Sequence, residues 1–342
     1  MTAGDEKKTG DDGGTETGEK GGLERRLIEV MRYRGLAKRT ERSYVQWYRR
    51  YVRFHGMTHP GEMGEREVEA YLTHLATNKD VAASTQNQAF NALVFLYRHV
   101  LDRPLENVKA RRATRGRTLP VVLSVGEVER LISQLEGTFL TMAQLLYGTG
   151  LRKMECVRLR VKDIDLENGL VLVFDGKGNK DRSTILPKSL RPELERQRLR
   201  LEALWKDDVD KGVANVWLPE GMRRRYPNGG REWLWQWFFP SKQVKEDPRA
   251  RGQYRRHHVH ENSITRALSD AAKRAGISKK VGAHTLRHSF ATHLILQGQD
   301  VRTVQELLGH SDLSTTMIYV QTARQMRGEV ESPLDRLSGP RG

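Results

Sequence analysis

The chain has 342 residues, 37% of them hydrophobic, which is enough for two domains with packed cores. Its 59 lysines and arginines against 43 acidic residues give a formal net charge of +16 and favour a polyanionic partner, because neutralising phosphates releases condensed counterions. No stretch approaches the roughly 20 apolar residues that span a membrane, and the single cysteine, Cys156, excludes an internal disulfide framework and a cysteine-based zinc site. The polar N-terminus carries no apolar signal core, so we expect a cytoplasmic location.

The N-terminal third predicts a tail followed by a helical bundle. Residues 1–21 are rich in glycine, threonine and charge, which is typical of a disordered tail. Four apolar stripes with helical spacing follow within about 80 residues; the second helix is expected to begin at an N-cap on Thr40 and the fourth near Ser84. The stripes are Leu23, Leu27 and Met31; Tyr44, Trp47, Tyr48, Tyr51 and Val52; Val68, Tyr71, Leu72 and Leu75; and Phe90, Leu93, Val94 and Tyr97. They predict a small bundle over residues 22–105.

Residues 106–124 have no periodicity and predict a basic linker. Five basic side chains occur there without an intervening acid: Lys109, Arg111, Arg112, Arg115 and Arg117. A solvated linker and a linker that follows a phosphate backbone are both compatible with this pattern. In so basic a chain the second interpretation is favoured, and it makes Arg111, Arg112, Arg115 and Arg117 candidate DNA contacts.

Residues 125–342 predict a second domain that is mainly α with a small antiparallel β-sheet. Helices are expected over 125–135, 138–147, 191–205, 263–275, 286–297 and 301–308, with a further helix starting at Ser314 or Thr315. The apolar run at 170–174, the turn composition of 175–179 and a short apolar run near 184–186 predict a β-hairpin. Lys177 would lie at its tip.

Several polar side chains of this domain fit phosphodiester chemistry. Arg152 and Glu155 lie one helical turn apart, as do His284 and Arg287, and each pair alone is also what an ordinary helix surface shows. Two guanidinium groups can hold the two non-bridging oxygens of a phosphodiester. Tyr319, which follows His310 after a predicted turn, could supply an attacking oxygen.

Four segments in order resemble the catalytic boxes of the tyrosine recombinases. They are GLRKME (150–155), GKGNKDR (176–182), HTLRHSFATH (284–293) and LLGHSDLSTTMIY (307–319). The resemblance extends over nearly the whole chain from about Gly22, because the helical bundle is similar to the family's SAM-like core-binding domain. It implies an N-terminal DNA-binding bundle, a catalytic domain, and a homotetramer assembled on DNA.

The resemblance also implies a role for each matching residue. Arg152 and Arg287 would grip the scissile phosphate while Tyr319 attacks it to form a 3′-phosphotyrosyl bond. Lys177 would protonate the leaving 5′ oxygen. His284 and His310 would take part in proton transfer and hydrogen-bond the phosphate. Glu155 would support the Arg152 end of the pocket. A tyrosine with a pKa of about 10 needs such positive neighbours and a base to react near neutrality.

This scheme requires no cofactor. His284, His288 and His293 could suggest zinc, but Arg287 lies among them and no HExxH pattern is present. Gly169 and Gly176-Lys177 are too far apart for an ATP-binding P-loop. We therefore expect neither a metal nor ATP.

Residues 205–240 form a tryptophan-rich insert. Its stretch WLPEGMRRRYPNGGREWLWQWFFPS (217–241) resembles the extra segment of the integron integrases, a subgroup of the tyrosine recombinases. Aromatic side chains that alternate with arginines can stack on unpaired bases, although alternation at Trp233, Trp235 and Trp237 is also typical of one packed face of an extended segment. The subgroup implies recombination of gene cassettes at duplex attachment sites and at folded single-stranded hairpins. The candidate DNA contacts are Arg223, Arg224, Arg225, Arg231, Trp233, Trp235 and Trp237, with Arg255, Arg256, His257 and His258 on what could equally be an exposed basic loop.

Two alternatives remain open. A phage- or Xer-like tyrosine recombinase would share the chemistry but act on duplex sites only. A non-catalytic DNA-binding protein would share the charge without the reaction.

Overall fold

A computed structural model describes residues 16–79, 81–110, 120–174, 181–247 and 250–327. The chain divides into two compact units, Met1–Thr118 and Leu119–Gly342. In the described part of the chain, the first unit carries helices and the second carries helices with two small antiparallel sheets. The predicted fold class is therefore confirmed.

The first unit contains the four predicted helices: α1 (Glu16–Tyr33), α2 (Lys38–Phe54), α3 (Glu65–Thr77) and α4 (Ala83–His99). Helix α4 packs against α2 and α3, and α1 packs against α2. The apolar stripes meet in one core, whose largest fully buried side chains are Leu27, Met31, Tyr51, Leu93, Leu96 and Tyr97. At its centre the hydroxyl groups of Tyr51 and Tyr97 lie 3.0 Å apart and satisfy each other.

Two helix starts differ from the prediction. Helix α2 begins after Ala37, so Thr40 lies in its first turn and is not the N-cap. Helix α1 begins at Glu16, so residues 16–21 of the predicted tail are helical, and the remainder of that prediction, residues 1–15, lies outside the described residues. Glycine costs a helix only about 1 kcal/mol per residue, so Gly21 and Gly22 do not force it to stop.

The beginning of the predicted linker lies along α3. The backbone N–H groups of Glu106 and Lys109 donate hydrogen bonds to the carboxylates of Glu65 and Glu69, the first at 3.1 Å. These two bonds hold the chain against α3 at Glu106 and Lys109. The candidate contacts Arg111, Arg112, Arg115 and Arg117 lie outside the described residues.

The second unit contains nine described helices, with a large core and a smaller one formed by Phe290, Ala291, Val304, Leu308 and Tyr319. The helices are α5 (Val125–Ile132), α6 (Gly137–Thr149), α7 (Lys153–Val157), α8 (Arg191–Asp210), α9 (Glu220–Arg225), α10 (Glu261–Arg274), α11 (Ala283–Leu296), α12 (Val301–Leu308) and α13 (Leu313–Arg327). Helix α12 has the predicted bounds. Helix α11 begins three residues earlier than predicted, because Gly282 acts as its N-cap and donates its N–H to the Thr285 hydroxyl.

The predicted β-hairpin belongs to a three-stranded antiparallel sheet of β1 (Ile164–Asp165), β2 (Leu170–Val173) and β3 (Arg182–Ile185), in that order. Leu170 pairs with Ile185 and Val173 with Arg182, so the two strands run into a common connection. That connection, residues 175–180, contains Lys177 and lies outside the described residues.

A second hairpin was not predicted. Strands β4 (Pro240–Asp247) and β5 (Ala250–His258) pair with each other, with register shifts along the ladder. Most of their side chains are exposed or half-buried, so the sequence lacks the apolar alternation by which strands are recognised.

Candidate active site

Arg287 lies at the centre of the polar cluster. It is carried by α11 and is only 3% exposed. Its guanidinium donates to the backbone carbonyls of Gly150 and Leu308, the latter at 2.6 Å, and Nη2 lies 3.1 Å from Nε2 of His310. These acceptors fix the orientation of a charge that burial would otherwise destabilise.

Two glycines allow close approach of the backbone to side chains of this cluster. Gly150 ends α6 with φ +65°, and a Cβ there would lie 2.5 Å from the ring of Phe290. Gly309 ends α12 with φ +62°, and a Cβ there would lie 2.6 Å from Arg182. Gly150 thus lets the backbone pass close to the Phe290 ring, where its carbonyl accepts a hydrogen bond from Arg287.

Arg152 is held by the carboxylate of Glu155 and by the turn at Gly309. Its Nη1 donates to Glu155 Oε1 at 2.7 Å and its Nη2 donates to the carbonyl of Gly309 at 3.0 Å. Glu155 also binds Arg182. Although burial raises the pKa of Glu155, the hydrogen bonds and charges of Arg182 and Arg152 lower it to about 2, so the carboxylate is ionised at neutral pH.

Tyr319 lies on α13 and is 4% exposed. Its hydroxyl is 2.9 Å from Nδ1 of His288, and its ring stacks on that of His310 with centroids 6.1 Å apart. His310 in turn contacts Arg287 through Nε2 and the Thr316 hydroxyl through Nδ1 at 2.9 Å. The phenol therefore shares one polar cluster with Arg287.

Burial and positive charge keep the histidines of the cluster neutral. Burial, with the charge of Arg287, lowers the pKa of His310 to about 4, and burial, with neighbouring His284 and Arg287, lowers that of His288 to about 4. Burial also raises the pKa of Tyr319, an effect that the charges of Arg287 and Arg152 oppose. The site thus holds guanidinium charges, neutral imidazoles and a protonated phenol, an arrangement suited to binding an anion.

Two further members of the predicted set are His284 and Lys177. His284 lies on the turn of α11 that precedes His288, with ring centroids 6.3 Å apart. Although the residue is exposed to solvent, partial desolvation of its ring, with the charge of Arg287, lowers its pKa. Lys177 lies outside the described residues.

Three residues of the cluster were missed by the sequence reasoning: Arg182, His288 and Thr316. All three lie inside the recognised boxes: Arg182 at the end of GKGNKDR, His288 beside Arg287, and Thr316 three residues before Tyr319. The spacing from His284 to His288 places both on one helical face. Only the packing of α13 against α11 decides which of them meets Tyr319.

The insert forms a small core of its own. Trp235 and Trp237 are buried with Val216 and Leu218, and a 3₁₀ turn at Trp233–Trp235 replaces the expected extended alternation. One face of Trp237 is covered by the Arg160 guanidinium, 3.9 Å from the ring centroid. Trp235 and Trp237 were predicted to contact bases; in the structure their rings pack against protein groups. Trp233 is half-buried.

The basic candidates of this region divide into two groups. Arg256, a predicted DNA contact, binds the buried carboxylate of Asp208 in the structure, with contacts of 2.6 and 2.7 Å. His258 lies on β5, half-buried against the edge of Trp237. The exposed candidates are Arg223, Arg224, Arg225, Arg231 and His257, while Arg255 is half-buried and pairs with Asp247.

Two further observations concern metals and membranes. Among the residues with described positions, no three His, Cys, Asp or Glu side chains form a cluster that could hold a metal ion. Across the same segments, no helix combines the length and the apolar character needed to cross a bilayer.

Comparison with known proteins identifies the family. Residues 122–326 match the model of the phage integrase family, and residues 23–107 match the phage integrase N-terminal SAM-like domain. The chain belongs to the phage integrase family of tyrosine recombinases. It is accordingly a site-specific recombinase, an enzyme that cleaves and rejoins DNA.

Relatives and solved structures agree with this assignment. An integrase/recombinase of Escherichia coli is 47% identical over 314 residues, which cover 91% of this chain and 92% of the relative. The tyrosine recombinase XerD of Agrobacterium fabrum is 33% identical over 284 residues, covering 77% and 78%. The fold is similar to XerH bound to a palindromic difH substrate (TM-score 0.58, 21% identity, 92% and 85% coverage) and to a lambda integrase dimer bound to a core site (TM-score 0.56, 17% identity, 87% and 94% coverage).

Proposed function

We propose that this recombinase cleaves DNA with Tyr319 and forms a 3′-phosphotyrosyl bond, while Arg152 and Arg287 hold the scissile phosphate. The supporting observation is the chain of contacts from the Tyr319 ring through His310 to the Arg287 guanidinium. A guanidinium carries five N–H donors, and the backbone carbonyls that orient these two arginines occupy only part of that set in the described structure.

Each remaining residue has a defined task in this mechanism. Fixed donors meet the charge that develops on the five-coordinate phosphorus, which is usually the largest contribution to such catalysis. Glu155 keeps Arg152 in place, and His284 and His310 hydrogen-bond the phosphate. Lys177 protonates the departing 5′ oxygen. The bond energy is stored in the phosphotyrosine and returned on rejoining, so the reaction needs neither metal nor ATP.

A covalent-adduct assay tests this mechanism. The protein is incubated with a nicked attachment-site oligonucleotide in EDTA, and a denaturing gel should show an adduct that is absent from Tyr319→Phe. Removing Arg152 or Arg287 should slow adduct formation by at least ~10²-fold, by analogy with deleting one oxyanion donor. An adduct that persists in Tyr319→Phe, or a near-normal rate in either arginine variant, contradicts the mechanism.

We further propose that the substrates are gene cassettes, as in the integron integrases, with duplex attachment sites and folded single-stranded hairpins as partners. The support is the insert, whose own small core carries an exposed basic surface that includes Arg223, Arg224, Arg225 and Arg231, with His257 on β5. Half-buried Trp233 is the remaining candidate for stacking on a base, and Arg111, Arg112, Arg115 and Arg117 for following the backbone.

A recombinase restricted to duplex sites is the second candidate, favoured by the similarity to tyrosine recombinase XerD. The affinities of the protein for the folded bottom strand of a cassette site and for its complement distinguish the two candidate functions. Preference for one strand supports cassette recombination, whereas equal affinity for both strands supports the duplex-only enzyme.

The proposed assembly is a homotetramer that joins two DNA sites in the cytoplasm. The support is the similarity of the fold to a lambda integrase tetramer bound to a Holliday junction (TM-score 0.56, 16% identity). Sedimentation of the protein with paired sites should give four protomers per complex, and two protomers would contradict the proposal.

A further inference from the structure

His288 is the side chain that hydrogen-bonds the Tyr319 hydroxyl in the described structure. Its Nδ1 lies 2.9 Å from the phenolic oxygen, and the two ring centroids are 5.5 Å apart. The contact joins α11 to α13, two helices that pack together. None of the roles assigned so far uses this histidine.

We propose that His288 is a catalytic residue of DNA cleavage, whose Nδ1 accepts the phenolic proton as Tyr319 attacks the phosphate. This inference rests on the proposed role of Tyr319 as the nucleophile. The phenolic O–H bond breaks as an N–H bond forms at Nδ1, the phenolic oxygen bonds to phosphorus, and the 5′ oxygen leaves with a proton from Lys177. On rejoining, the proton on His288 returns to the phenol.

The two other histidines of the cluster are poorly placed for this step. His310 has Nε2 beside the guanidinium donors of Arg287 and Nδ1 on the Thr316 hydroxyl, so neither of its ring nitrogens bonds the Tyr319 hydroxyl. His284 is exposed one turn earlier on α11. His288 alone of the three directs a ring nitrogen at the phenolic oxygen.

The charges around His288 also suit a proton acceptor that acts only with DNA bound. The groups that face it are His284 and Arg287 on its own helix, His310 after α12 and Tyr319 on α13. Burial and the charge of Arg287 hold its imidazole neutral, which leaves Nδ1 able to accept when Nε2 carries the proton. A phosphodiester on Arg287 would offset that positive charge and make the imidazole more basic.

His288→Asn separates proton transfer from positioning, because an amide oxygen can accept the hydrogen bond but is not a base. Single-turnover cleavage by this variant should be about 10²-fold slower or more, the usual contribution of a general base. The loss should be the same on a 5′-bridging phosphorothiolate, whose thiolate leaves without protonation, whereas the loss in Lys177→Ala should be rescued on it. The rate of His288→Asn should keep rising with pH where the wild-type rate is level.

Imidazole rescue gives an independent measurement. His288→Ala leaves a space at the phenol, and added imidazole should restore part of its cleavage rate. The matched control is His293→Asn, which makes the same change in another histidine–tyrosine pair on α11, where Nδ1 of His293 lies 2.8 Å from the Tyr147 hydroxyl. That variant should cleave at the wild-type rate and show no imidazole effect.

The outcomes distinguish this inference from the proposed function. Near-normal cleavage by His288→Asn, a loss that phosphorothiolate reverses, or His288→Ala without imidazole rescue overturns the role of His288 while the Tyr319 adduct still forms. Absence of that adduct in the wild-type protein overturns the proposed function itself.

Discussion

Arg182 donates two hydrogen bonds to the carboxylate of Glu155, with Nη1 3.0 Å from Oε1 and Nη2 2.6 Å from Oε2. The same carboxylate holds Arg152, and Nε of Arg182 donates to the carbonyl of Leu307 at 3.1 Å. Strand β3 is thereby tied to α7 and to the end of α12. Arg182 acts through Glu155, which makes it a positioning residue for the phosphate-binding arginine.

Replacing Arg182 should therefore weaken both stability and cleavage. In Arg182→Ala the buried carboxylate of Glu155 loses one of the two arginines that neutralise its charge. Breaking a buried ion pair costs roughly 3–5 kcal/mol. Urea unfolding measures this loss, and single-turnover cleavage should fall as Arg152 loses its fixed partner. The control is Arg196→Ala, which removes a forked but exposed contact to Glu193 and should cost less than about 1 kcal/mol. Equal losses in the two variants would contradict the role of Arg182.

Glu155 should stabilise the fold in a defined acid range. Its pKa is lowered from 4.5 to about 2 in the folded protein, so the stabilisation is complete above pH 4.5 and is lost as the pH falls towards 2. Urea unfolding at pH 5, 4 and 3 should show a steeper decline for the wild-type protein than for Glu155→Gln, which cannot titrate. Parallel curves would show that the carboxylate is not held by the arginines.

His310 should contribute a pH dependence of its own, at higher pH. Its pKa is lowered from 6.5 to about 4, so the unfolded chain binds a proton that the folded protein does not. Stability is therefore full above pH 6.5 and falls as the pH drops from 6.5 towards 4. Denaturant unfolding between pH 7 and 4 should show a shallower slope for His310→Asn than for the wild-type protein, and an unchanged slope would mean that His310 is protonated in the folded state.

The sequence predicted which parts of the chain would converge, but not every contact made there. The resemblance of the four boxes to the family implied that Arg152, Arg287, His310 and Tyr319 share one site, and in the structure these residues lie in one cluster of contacts. The partner of Tyr319 does not follow from the sequence: His284 and His288 share a helical face, and only the packing of α13 distinguishes them. That choice is tertiary, and no local pattern encodes it.

In the insert, the sequence pattern was clear but did not show which side chains are buried. Its tryptophans gave the strongest compositional signal, but composition alone cannot tell a ring that stacks on a base from one that packs under Arg160. Strands β4 and β5 were missed because their side chains are mainly polar on both faces. In both cases the deciding quantity is burial, which depends on elements distant in the sequence.

Gly150 should be among the least replaceable residues of the site. Gly150→Ala combines a positive φ with a Cβ 2.5 Å from the Phe290 ring. Gly212→Ala is the matched control, because its φ is +70° but nothing lies within 4 Å of the added atom. The control should lose roughly 1–2 kcal/mol from backbone strain, and Gly150→Ala a further 1–3 kcal/mol or so from overpacking. Urea unfolding of both variants measures the difference, and equal losses would mean that Phe290 moves aside.

Substitutions of Trp237 and Arg225 should affect different properties of the protein: stability for Trp237 and DNA affinity for Arg225. Trp237 is buried under Arg160, so Trp237→Ala should lower stability by about 3–5 kcal/mol. Arg225 is exposed, so Arg225→Ala should leave stability within about 0.5 kcal/mol. If Arg225 contacts a phosphate, its loss should instead lower DNA affinity and reduce the slope of log affinity against log salt by about 1. Denaturant unfolding and salt-dependent DNA binding should be measured on both variants. If Trp237→Ala is as stable as the wild-type protein but has lost binding to single-stranded DNA alone, Trp237 contacts a base.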